Sequence, residues 1–208
     1  MPRLFTILAA LTLGITLSAC APGPAPVDVP TSGDAVTRGP WHDDEAPSLT
    51  LVTVRNNSTG NGGHTALKIV AEETVIFDPA GSFHHEQIRR EGDVLIGIDP
   101  TWWEAYKSMH ARETFNVLTQ RVEVSPEVAS RALALAKARG RVGSAYCANS
   151  TSSILRQLPG FESIGVTFFP VTLSDEFADL TGVEGTVLYE DFTPPGSVAE
   201  TPSPATGS

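Results

Sequence analysis

Between Leu49 and Asp78 the chain permits little besides a run of antiparallel strands. Leu49-Thr50-Leu51-Val52-Thr53-Val54 alternates apolar and β-branched residues, the period of a strand. The turn formers Asn56 to Gly63 follow, several of them able to take positive φ. A second apolar segment opens at His64 and runs through Ala66, Leu67, Ile69 and Val70. Glu72-Glu73 marks a turn, and Thr74-Val75-Ile76-Phe77-Asp78 returns before Pro79-Ala80-Gly81 ends it. These segments read as a meander. A hairpin turning near residues 71–73 sets His64, at the start of one strand, beside Asp78 at the end of its neighbour.

The remainder is mostly helical. Residues 83–97 are irregular, with a short strand expected at Val94-Leu95-Ile96. Pro100 to His110 reads as a helix carrying Trp102, Trp103 and Tyr106, with proline at its start. Thr114 to Val124 reads as a strand. Ser125-Pro126-Glu127 then opens a helix that closes at Gly140. A Gly/Ser-rich loop leads to a further helix starting at Cys147 and stopping by Pro159-Gly160. Pro170 to Leu180 is another helix, and Thr186 to Tyr189 a last strand. Strands come early and helices late, so the expected class is α+β, an antiparallel sheet packed against helices.

The ends differ in composition. Arg3 followed by the apolar run Leu4 to Leu17 has the form of an export signal, short for a membrane-spanning helix. Its close, Leu17-Ser18-Ala19-Cys20, resembles the bacterial lipobox; the alternative is an ordinary signal peptide cut nearby. The lipobox implies cleavage after residue 19 and lipidation of Cys20, and Ala21 after it suggests the outer membrane, facing the periplasm. Residues 20–47 are rich in Pro, Gly and Asp and read as a disordered tether, and 192–208 as a disordered Pro-rich tail. A single domain is expected over 48–191. The net charge of −10 argues against nucleic acid as a partner and gives no help in binding anionic lipid. The membrane partner is reached through the lipid anchor instead.

The chain has 2 cysteines. If Cys20 is lipidated, Cys147 has no disulfide partner in an oxidising compartment, where an unpaired thiol is unusual. At a helix start it faces backbone amides with partial positive charge, which favour the thiolate. Its bland reading is a small buried core residue. His64, reached through glycines, is the best base; the alternative is a core histidine satisfied by a carbonyl. Asp78 either orients His64 or caps the Pro79–Gly81 turn. Among the 5 histidines, His42 falls in the tether and His110 at a helix end, where it meets the dipole. His84-His85 lacks a completing ligand set, so no metal is expected. Trp102-Trp103 reads as a recognition patch or, more simply, as an amphipathic helix burying one ring.

The pieces Gly63-His64-Thr65-Ala66-Leu67, Val75-Ile76-Phe77-Asp78-Pro79-Ala80-Gly81, Tyr146-Cys147-Ala148-Asn149-Ser150 and Phe168-Phe169-Pro170-Val171-Thr172-Leu173 together resemble the circularly permuted papain-like group. This is the permuted branch of the NlpC-type cysteine hydrolases, related to lecithin retinol acyltransferase-like enzymes, in which histidine precedes cysteine. The resemblance implies Cys147 as nucleophile, His64 as base and Asp78 as the third, orienting residue. A member of the acyltransferase branch would more typically carry a histidine on the second strand. Tyr146 would shape the cleft or contact substrate, its alternative being core packing. The implied activity is amide hydrolysis by a peptidase or amidase of the cell envelope, with no cofactor. Family and location together make peptidoglycan stem peptides the natural substrate class. Two alternatives are a non-catalytic binding or structural lipoprotein on the same fold and a lipid thioesterase or acyltransferase.

Overall fold

The computed structural model describes residues 39–190. The segment read as a signal peptide, Cys20 and the segment read as a disordered tail, 192–208, lie outside the described residues. Among those described, seven strands and four helices follow in the order β1 (Ser48–Asn56), β2 (Gly62–Val70), β3 (Thr74–Phe77), β4 (Arg89–Glu91), β5 (Val94–Ile96), α1 (Pro100–His110), β6 (Phe115–Glu123), α2 (Pro126–Arg139), α3 (Cys147–Leu155), α4 (Pro170–Thr181) and β7 (Thr186–Leu188). All pairings are antiparallel, in the order β4-β5-β3-β2-β1-β6-β7. The α+β class is therefore as expected.

Alternation along the central strands gives the sheet two apolar faces. Leu49, Leu51, Leu67, Ile69, Val75 and Phe77 meet Leu133 of α2, Ile154 and Leu155 of α3, and Leu173 and Phe177 of α4. Val52, Val54, Ala66, Ile76 and Leu95 form the other face, with Tyr106 of α1 against them. Truncating a fully buried residue such as Leu67 to alanine would cost about 2–5 kcal/mol. Each helix start follows from its sequence. Asp99 Oδ1 accepts from Trp102 N–H at 2.9 Å ahead of Pro100, and Ser125 caps α2 ahead of Pro126. Helix α3 has no side-chain cap, so its first amides are open to another acceptor.

Two details depart from the sequence reading. Residues 41–47, placed in the tether, lie against the sheet. Trp41 bridges to Thr74, Asp43 pairs with Lys68 at 3.6 Å, and Pro47 O accepts from Val124 N–H at 3.0 Å. Strand β4 was not expected either, because Arg89-Arg90-Glu91 has no apolar period and pairs along one edge only, with β5. No helix among the described residues is long and apolar enough to cross a membrane.

Candidate active site

The β2–β3 hairpin puts Leu67 opposite Phe77, so His64 and Asp78 end up at the same end of the sheet. A bulge between Val54 and Arg55, opposite His64 and Gly62, turns the start of β2. Gly62 is needed there, since a Cβ would stand 2.6 Å from Pro170 Cβ. His64 Nε2 donates to Asp78 Oδ1 at 2.8 Å. That leaves Nδ1 for Cys147, whose sulfur hydrogen-bonds the imidazole. The amides of Thr65 and Ala148 also donate to the sulfur, the second from the uncapped first turn of α3. Cys147 is a free thiol, 8 % exposed. Cys147, His64 and Asp78, named from sequence, thus form one hydrogen-bonded chain.

The electrostatics follow from these contacts. Burial pushes the Cys147 thiol up, but the imidazole and the two backbone amides outweigh it and the thiol ends below its ordinary value. Burial also works against a charged His64, yet the hydrogen bonds to Asp78 and Cys147 raise it from 6.5 to about 9. Asp78, fully buried, is opposed by burial and still held down at about 2 by His64, Tyr106 and Arg90. Relative to the isolated groups, the contacts favour thiolate, imidazolium and carboxylate.

Sequence reasoning missed three residues of this network. Tyr106 OH donates to Asp78 Oδ1 at 2.8 Å, and Arg90 donates from Nη1 to Oδ2 at 3.0 Å and from Nη2 to the Asp78 carbonyl at 2.6 Å. His110 does more than end a helix: its ring stacks on His64 at 5.7 Å and 11°, and its Nδ1 donates to Tyr106 O at 2.8 Å. Burial lowers its pKa and favours neutral imidazole. Tyr106 and His110, one helical turn apart, share a face of α1, but only the tertiary contact sets that face against the His64–Asp78 pair. Nor does Asp78 cap its own turn: Ala80 N–H goes to Asp93 Oδ2 at 3.1 Å, which frees the Asp78 carboxylate for His64. Among the described residues, the non-glycine positions at positive φ, Ala80 (56°) and Ala145 (68°), both flank this site.

Tyr146 is 46 % exposed and meets Phe168 edge-on at 5.3 Å. Core packing is therefore not its role. Phe168 and Phe169 are exposed beside it, ahead of the Pro170 that touches Gly62. Ligand atoms of His64, Asp78 and His110 lie within 4.8 Å of one another. To hold an ion they would have to give up the His64–Asp78 and Tyr106–Asp78 bonds, so the set is arranged to hold a proton. His84 is exposed and His85 packs on Trp102 at 4.4 Å, outside that cluster. Trp102 and Trp103 are both half-buried against the α1 face of the sheet. A separate cavity of about 500 Å³, lined by Asp43, Lys68, Trp103 and Arg121 among others, includes neither Cys147 nor His64.

No protein-family model, no curated protein and no solved structure matches this chain.

Proposed function

We propose that the chain is a cysteine hydrolase of the cell envelope, a peptidase or amidase with the permuted papain-like order of His64 before Cys147, anchored by lipid on Cys20. The observation that carries this reading is the unbroken Cys147–His64–Asp78 hydrogen-bond chain, with the thiol lowered and the imidazole raised. A structural cysteine needs neither a buried ion pair nor two backbone amides aimed at its sulfur.

In the proposed reaction the Cys147 thiolate attacks the substrate carbonyl carbon. The carbonyl oxygen takes the negative charge and is met by backbone amides at the start of α3, including that of Cys147. As the C–N bond breaks, the His64 imidazolium passes its proton to the departing amine. Water then adds to the thioester. His64 takes one of its protons and returns it to sulfur as the carboxylic acid leaves. Asp78 keeps the imidazole oriented throughout and stabilises it each time it carries the proton. Peptidoglycan stem peptides are the substrate class proposed for this location. The test is hydrolysis of muropeptides by the purified chain against a Cys147→Ala control; equal activity of the two sinks the assignment.

The exposed Tyr146, Phe168 and Phe169 beside the thiol favour a second reading, a thioesterase or acyltransferase acting on a lipid acyl group. A series of acyl thioesters of rising chain length separates the two, since only the second reading requires turnover to climb with length.

A further inference from the structure

The turn that carries Asp78 and the loop that delivers Cys147 belong to different parts of the chain, and one side chain joins them. Asp93 sits between β4 and β5 and is 2 % exposed. Its Oδ2 accepts from Ala80 N–H at 3.1 Å, in the Asp78 turn, and from Val142 N–H at 2.9 Å, in the loop that ends at Cys147. Its Oδ1 takes Arg90 Nη2 at 3.3 Å, and its carbonyl accepts from Asp78 N–H at 2.7 Å. The neighbouring Gly92 (φ +59°) lies so close to the same loop that a Cβ would stand 3.1 Å from Gly140 Cα.

The charges favour a purpose beyond holding a turn. Burying a carboxylate is costly unless it is paired and fully hydrogen-bonded. Two buried carboxylates, Asp78 and Asp93, share the single guanidinium of Arg90. The second cation this cluster needs is the His64 imidazolium, the species that the thiolate also requires. Tyr106 and His110 face the same group from α1, and Arg139 of α2 reaches only Ser150 Oγ, at 3.3 Å.

We propose that Asp93 and Arg90 are positioning residues for the Cys147–His64 pair. Asp93 ties the orienting turn to the nucleophile loop, and Arg90 locks the Asp78 carboxylate in line with the imidazole. This rests on the cysteine-hydrolase reading.

The test is the pH dependence of iodoacetamide alkylation in the full chain, followed on the Cys147 peptide by mass spectrometry. In Asp93→Asn the alkylation midpoint moves up by about one pH unit, so the rate on the acid side falls roughly tenfold while the high-pH plateau stays. Val142→Pro removes the loop donor while leaving the Asp93 carboxylate intact, and shifts the midpoint the same way. It also keeps the test open if Asp93→Asn fails to fold. Arg90→Lys, which retains charge but loses the fork, falls between wild type and Arg90→Gln. An activated wild-type thiol with unshifted midpoints in folded Asp93→Asn and Val142→Pro overturns the tie alone. A wild-type midpoint at the ordinary thiol value overturns the hydrolase reading, and this proposal with it.

Discussion

His64 Nε2 donates to Asp78 Oδ1 at 2.8 Å, and the acceptor carboxylate has no exposure to solvent. Because Asp78 is buried, water does not screen its charge, so its influence on the imidazole is large. Asp78→Asn keeps the shape and removes the charge. The expected result is a lower His64 pKa, a higher Cys147 alkylation midpoint, and hydrolysis reduced by roughly 10²–10⁴-fold, the usual size of an acid–base contribution. Unchanged alkylation and turnover in the folded variant would show that Asp78 only completes the core.

The pH profile should have an alkaline limb set by the imidazolium. The active form needs thiolate and protonated His64 together, so the rate rises as Cys147 ionises and falls as pH passes about 9. A profile that keeps rising beyond pH 10 is incompatible with this pair.

The same groups set a stability profile. His64 is raised, so its stabilisation is complete below its ordinary 6.5 and lost as pH rises through about 9. Asp78 is depressed, so its stabilisation is present above its ordinary 3.8 and lost as pH falls through about 2. Urea unfolding across pH should show the acid loss in the wild type. On the alkaline side the depressed Cys147, whose own stabilisation is present above its ordinary 9.0 and lost as pH falls, opposes the His64 loss. The acid loss should be smaller in Asp78→Asn.

Gly81 offers a backbone test that leaves every side chain of the site chemically unchanged. A Cβ there would fall 1.9 Å from Asp78 Oδ2, so Gly81→Ala must displace the carboxylate. We expect a destabilisation of about 1–3 kcal/mol, typical of overpacking, with loss of thiol activation. Gly143→Ala meets nothing within 4 Å and should stay within about 0.5 kcal/mol of wild type. If the two variants behave alike in thermal unfolding and alkylation, the Asp78 turn is not the constraint described.

Tyr146 and Phe168 form an exposed pair beside the thiol but make no bond to it. Phe168→Ala should therefore raise KM roughly 2–10-fold, the worth of one aromatic contact, with kcat nearly unchanged. A fall in kcat at constant KM would place Phe168 in the chemistry instead.

Much of the site could be read before the fold was known. The turn at residues 71–73 was enough to put His64 near Asp78, because hairpin register is local. Likewise, Cys147 at a helix start was read from the Gly/Ser-rich loop before it, although Asn149 to Ser153 after it are poor helix formers. Arg90 and Asp93 were hidden because their strands are only three residues long and lack a clear alternation. Tyr106 and His110 were visible as helix residues, yet nothing local indicated that α1 would lay that face over His64 rather than over solvent.

The sequence by itself determined the α+β class and every strand but β4 among the described residues, because strand period, helix caps and turn chemistry act over a few residues, and the family resemblance named Cys147, His64 and Asp78. Only the tertiary structure decided what surrounds that set. The Arg90 fork, the Tyr106 hydroxyl, the stacked His110 and the Asp93 tie reach it from β4, α1 and the β4–β5 turn, and their effect depends on burial together. Charges on exposed loops are screened by water and salt over about 8–10 Å at ordinary ionic strength. Once Asp78 is enclosed by the packed sheet and helices, its charge governs where the proton on His64 resides.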